Sequence, residues 1–311
     1  MSPEHDAQKL KVLAEVQKGF DWPDWLVSMD YDPETKIFTM TVSDREAVAD
    51  QVASMAIDIE RVLPIPDILI EIEESPPVEL LLSGQAHLPV PPSGPTTGGD
   101  PIWHGDNGWG TLALASPQIT IIDHEGHPQV VANALLGCNH ILALLDQAHD
   151  GDAIGLYRTP GSATLNWHWK VTDAAVVPVD IALAEHSTPA DLAMREVRGL
   201  GPVTTVAAPV HGERLFKCGA RTSITTALDD GWETVMIGHY GNRQVNLRKT
   251  RPDFADVGDS GAAVLNEARQ LVGIVIAGGV KPHGYITYYL PTIPRNAPQK
   301  PLDTLFLELE I

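Results

Sequence analysis

The tetrapeptide Gly258-Asp259-Ser260-Gly261, inside the stretch DFADVGDSGAAVLNEARQLVGIVIAGG (253–279), sets a serine against bare backbone. A serine hydroxyl is a poor nucleophile at neutral pH. A site that uses one needs a base, a group to orient that base, and donors where negative charge develops on the attacked carbonyl. Glycines at 258 and 261 permit the positive φ of a sharp turn that brings N–H groups beside the serine oxygen. Gly258 and Ser260 are therefore the candidate oxyanion-hole donors. The same residue types are ordinary turn formers, so the tetrapeptide alone leaves a structural turn equally open.

Other chemistry-bearing clusters read more simply. DHEGH (123–127) is one residue short of the His-Glu-x-x-His metal motif and lies between strand-like runs, so a hairpin turn is expected and no metal. NWHWK (166–170) reads as a strand with half-buried tryptophans rather than an aromatic contact surface. Cys138 has apolar neighbours and reads as a buried, inert thiol. An α/β-hydrolase elbow is excluded because Ala262 stands where its last glycine belongs, and its triad order puts histidine last.

The segment GDSG followed by QLVGIVIAGG resembles the C-terminal barrel of trypsin-like serine peptidases, which have the chymotrypsin fold. Three upstream segments resemble the bacterial members in the same chain order. GCNHILALLDQAHDGDAIGLYRTPG (137–161) is similar to the Asn-His-Val context of their histidine. VTDAAVVPV (171–179) looks like their Asp-Ala-Ala element, and RLFKCGARTSITTALDDGW (214–232) resembles their Lys-x-Gly-Arg-Thr-Thr segment. The resemblance covers about residues 109 to 295. It implies a serine endopeptidase working through an acyl-enzyme, with Ser260 as nucleophile, His140 as base and then acid, and Asp173 orienting His140. Asp180 is the alternative carboxylate. Ile276, Ala277 and Gly278 align with the strand that pairs with extended substrate, and Phe254 with the pocket base, which implies an apolar or shallow pocket.

The sequence also departs from the family. Ala262 and Ala263 replace its usual glycine and proline, and no Ile-Val segment precedes Gly110 to supply a new N-terminus to Asp259. Asp259 therefore needs another partner, and the oxyanion hole is either preformed or held unformed until a regulator acts. The alternative function is a catalytically inactive barrel acting as a protein-binding scaffold.

Three stretches must position these residues. Residues 1–86 read as a small acidic α+β domain: a helix in DAQKLKVLAEVQKGF, a hairpin of WLVSMDY and KIFTMTV across DPET, a helix opening near Ser43 and Asp44, and a strand in DILIEIEE. Residues 87–108 are dense in Pro and Gly and read as a linker. Residues 109–311 carry many short apolar runs with turn punctuation, expected to form a mainly β double β-barrel, with ILALLDQA and the C-terminal PLDTLFLEL helical.

Composition narrows the setting. The formal charge of −20 argues against a nucleic-acid partner. No apolar run reaches the length of a membrane span, and the N-terminus lacks a secretion signal. Cys138 and Cys218 are the two cysteines and are expected to be reduced. A cytoplasmic location, no cofactor and a protein or peptide substrate are expected. A regulatory protein partner is expected through the N-terminal unit.

Overall fold

The structure is a computed structural model that describes residues 3–20, 22–63, 65–81, 90, 93–105, 108–122, 128–157, 163–168, 180–240, 243–282, 284–292, 300–301 and 305–308. It is mainly β. Six strands close on themselves in the order Arg214–Gly219, Ala263–Asn266, Leu271–Lys281, Gly284–Pro291, Arg243–Arg251 and Ser223–Ile237, the last pairing back with the first. A second curled sheet, among the described residues, runs Leu305–Glu308, Leu114–Ile122, Pro128–Gly137, Ala182–His186, Ala163–His168, Ala153–Leu156, Pro101–His104 and Trp109–Thr111. Two β-barrels side by side are the architecture that the resemblance implies.

The strand Leu271–Lys281 shows why its sequence is an unbroken apolar run. Ile274 and Ile276 join the large core shared with the first barrel, while Val275 between them joins the interior of the second. A strand buried on both faces has no polar side to alternate with.

The N-terminal elements follow the expected order: helix Pro3–Gly19, the antiparallel hairpin Leu26–Asp32 and Ile37–Val42, helix Ala49–Val62, and strand Leu69–Glu74 parallel to Ile37–Val42. The second helix opens later than expected, after Val48 and not at Ser43 or Asp44, because the Asp44 carboxylate accepts from Ala47 N–H in a turn ahead of it. They continue the second barrel's sheet, because Ser28 and Met29 pair with Val235 and Thr234 at the far end of the long strand Ser223–Ile237. Buried ionic links reinforce the seam. Arg248 bonds both Asp229 and, at 3.2 Å, Asp6 of the first helix. Lys281 Nζ bonds Ser28 at 2.6 Å, Thr41 at 2.9 Å and Glu233 at 2.9 Å.

Three further sequence expectations change. Part of the expected linker is sheet: Thr96–Gly98 runs parallel to Leu192–Val197, and Pro101–His104 lies in the first barrel. Its Gly and Pro serve packing there. A Cβ on Gly98 would stand 2.4 Å from the Ala113 carbonyl oxygen, and Pro101 opens a strand where no N–H is lost. The C-terminal run expected as a helix contains the strand Leu305–Glu308, parallel to Leu114–Ile122. A short apolar run has no resolvable period, and an open sheet edge decides it. The ILALLDQA helix spans only Asn139–Leu142, ending as Leu144, Leu145 and Asp146 take φ values of 52, 56 and 69°. Among the described residues no helix is long and apolar enough to cross a membrane.

Candidate active site

Strand pairing brings the imidazole and its carboxylate together. Pro128–Gly137 ends just before Cys138, where the chain turns into the short helix that carries His140. Ala182–His186 pairs with that strand, Ala182 opposite Gly137, so Asp180 at its head falls beside His140. The His140 backbone N–H donates to Asp180 Oδ1 at 2.9 Å, and its Nδ1 bonds Asp180 Oδ2. Both carboxylate oxygens are thus committed to one residue, which fixes the ring and leaves Nε2 as the basic nitrogen. Asp173 and the VTDAAVVPV segment lie outside the described residues, and so does the DHEGH turn. NWHWK enters the strand Ala163–His168.

The serine sits in a turn that glycine makes accessible. Gly258 and Gly261 have φ of +101 and +96°. Asp259, fully buried, accepts five hydrogen bonds: from Lys217 Nζ at 2.8 Å, Thr222 Oγ1 at 2.5 Å, and the N–H groups of Arg221 at 2.9 Å, Thr222 at 3.2 Å and Asp256 at 3.2 Å. Lys217 is therefore the partner that Asp259 requires, supplied from within the chain. Burial pulls the Lys217 ammonium below its ordinary pKa, and the Asp259 charge opposes that pull. Gly219 is the reason the two fit, since a Cβ there would lie 2.1 Å from Asp259 Oδ1. The first barrel braces the same turn: Thr111 Oγ1 donates to Gly258 O at 2.9 Å, and Thr111 N–H to Ser260 O at 2.7 Å.

The two halves meet at the Val275–Ile276 peptide. Ser260 Oγ donates to Ile276 O at 3.1 Å. Cys138 Sγ donates to Val275 O at 3.4 Å, and it lies within 4.8 Å of the ligating atoms of His140 and Asp180. His140 Nε2 is buried with no hydrogen-bond partner among the described residues. Burial and the adjacent Asp180 push the Cys138 thiol well above its ordinary pKa. In this structure the Cys138, His140 and Asp180 groups are each engaged in hydrogen bonds, Cys138 Sγ with Val275 O and His140 with Asp180.

The remaining predicted positions surround this junction. Ala277 and Gly278 pair antiparallel with Leu80 and Glu79. Leu81 N–H donates to Ile276 O at 3.4 Å, and Gly258 N–H donates to Leu81 O at 2.9 Å. Phe254 is fully buried in an apolar cluster with Leu81, Ala255, Val275 and Tyr289. Ser260 and His140 are 0% and 3% exposed. Sequence reasoning missed two participants. Lys217 stood in the quoted segment RLFKCGARTSITTALDDGW with no role assigned, and Leu81 lay upstream of everything the resemblance covered.

No protein-family model matches the chain, and no curated protein matches it by sequence. Among solved structures the fold is similar to that of a Nocardiopsis protease, at 16% identity and a TM-score of 0.44, covering 63% of this chain and 91% of that one. A Cellulomonas bogoriensis chymotrypsin is similar at 17% identity and a TM-score of 0.44, covering 64% and 92%. Thermobifida fusca Protease A is similar at 18% identity and a TM-score of 0.42, also covering 64% and 92%.

Proposed function

We propose that the chain is a serine endopeptidase in which Ser260 attacks the carbonyl, His140 moves the proton and Asp180 orients His140. The observation that carries this reading is the state of the imidazole. A buried ring nitrogen without a partner costs on the order of 1–3 kcal/mol, and such an atom in a tightly bonded site is kept for use. His140 has one nitrogen fixed by Asp180 and the other buried without a partner among the described residues.

The steps follow from the parts. Ser260 Oγ, which donates to Ile276 O in this structure, leaves that carbonyl to donate to His140 Nε2. His140 takes the hydroxyl proton as the oxygen bonds the carbonyl carbon, and Asp180 stabilises the imidazolium. The developing oxyanion is held by Gly258 N–H, joined by the Ser260 N–H of the same turn; each such donor is worth about 3 kcal/mol. The turn needs no cleaved N-terminus, because Lys217 already neutralises Asp259.

A fluorophosphonate probe tests the reading. Covalent labelling that maps to Ser260 and disappears in Ser260→Ala and His140→Ala supports it. A wild-type chain that takes up no probe under any activating condition sinks it and favours the binding-scaffold alternative.

A further inference from the structure

Residues 75–81 run along the strand Leu271–Lys281, from Val280 to Ile276. Ser75 Oγ bonds Val280 O, Glu79 and Leu80 pair antiparallel with Gly278 and Ala277, and Leu81 reaches Ile276. Strand addition of this kind is how an extended peptide binds an open sheet edge. The pairing ends at a telling place. Leu81 N–H donates to the Ile276 carbonyl, the one on which Ser260 Oγ also rests, and Leu81 O accepts from Gly258 N–H at 2.9 Å. A donor placed for an oxyanion is here occupied by a peptide carbonyl of this same chain.

The Leu81 side chain is also seated. Its Cδ2 packs over Gly278, where a Cβ would come within 3.0 Å, and it joins the cluster of Phe254, Ala255, Val275 and Tyr289. Tyr285 borders the same spot. Burial and the nearby Asp256 and Asp259 charges push its phenol up to about 12, so the wall stays uncharged. An apolar side chain of leucine size is what such surroundings accept.

From this register we infer that the chain is its own substrate, cut between Leu81 and Leu82, with Leu81 as the acyl residue. The inference rests on the peptidase reading above and adds the site and side-chain class it accepts. Ser260 Oγ passes its proton to His140 Nε2 and bonds the Leu81 carbonyl carbon, and the carbonyl electron pair moves onto Leu81 O beside Gly258 N–H. As the carbonyl reforms, the bond to the Leu82 nitrogen breaks, and that nitrogen takes the proton from His140. Water then gives one proton to His140 and bonds the same carbon, and the ester bond to Ser260 breaks as Oγ recovers its proton. The products are a carboxylate on Leu81 and a free amine on Leu82, with nothing oxidised or reduced. Residues 1–81 would stay attached after the cut, since Ser28 and Met29 pair with the second barrel and Asp6 and Asp30 form ion pairs with its Arg248 and Lys249.

Intact mass and N-terminal sequencing of the purified full chain under denaturing conditions test this. The expected result is a piece beginning at Leu82, formed at a rate unchanged on dilution and absent in Ser260→Ala. Leu81→Met, which keeps the packing, should still cut, and Leu81→Asp should not. A chain that stays whole while Ser260 takes up fluorophosphonate overturns self-cleavage and leaves the peptidase reading standing. Cutting at another bond, or cutting that persists in Ser260→Ala, overturns it too. Neither cutting nor labelling removes both.

Discussion

Lys217 and Asp259 are both 0% exposed, and each is the other's counter-charge. Removing one leaves the other as a buried, uncompensated ion, which costs on the order of 3–5 kcal/mol. Lys217→Met should therefore lower the urea midpoint by a corresponding amount and slow probe labelling of Ser260, because the turn carrying Gly258 loses its anchor. Asp180→Asn asks a different question. The amide fills the same space but does not stabilise the imidazolium, so kcat should fall about 10⁴-fold with KM little changed. Thermal unfolding within a few degrees of the parent would show that the loss is catalytic and not a failure to fold.

At the scale of elements, the site is made where short pieces of different strands cross. The turn at Gly258 lies under Trp109, with a Cβ there only 2.5 Å from the indole Cη2, while its φ of +101° suits glycine alone. Gly258→Ala should destabilise the fold and suppress labelling, read from a thermal melt and probe uptake on the same sample. Near-parent labelling would mean that the Gly258 N–H is not an oxyanion donor. His140 and Asp180 are brought together by the ladder between Pro128–Gly137 and Ala182–His186, a pairing of residues about 45 positions apart that no local pattern specifies. For that reason the histidine was readable as a motif while two carboxylates stayed open for it: Asp173, outside the described residues, had the better local context, and Asp180 has the register.

At the scale of the whole molecule, the N-terminal unit is part of the second barrel's sheet. Glu233 lies between Lys281 and Lys249, and although burial alone would raise its pKa, the two ammonium groups hold it at about 2. Asp30, between Lys249 and Lys9, is likewise held well below the ordinary carboxylate range against the effect of burial. Since the folded pKa lies below the unfolded value, the unfolded chain binds more protons as pH falls from 4.5 toward 2. The stabilisation is complete above about pH 5 and is lost below that, on the order of a few kcal/mol for Glu233. Equilibrium urea unfolding against pH should show midpoints falling steeply through this window in the parent and less steeply in Glu233→Gln. Expressing residues 82–311 without 1–81 should give a less stable chain, with Lys281 left without Ser28 and Thr41 and Arg248 without Asp6; supplying residues 1–81 as a separate peptide should restore the melt.

Much of this molecule can be read from residue order alone. The apolar runs and their punctuation specify many short strands, WLVSMDY and KIFTMTV joined by the DPET turn specify a hairpin, and the glycines around Ser260 specify a sharp turn, because these follow from side-chain type and backbone sterics within a few residues. Tertiary structure alone decided which acid meets His140, that Lys217 neutralises Asp259, and that Leu81 lies against Gly258. Each of those is a contact between positions tens to hundreds apart, set by strand register and by the cost of leaving a buried charge or donor unpaired, and neither quantity is written in any single stretch of the chain.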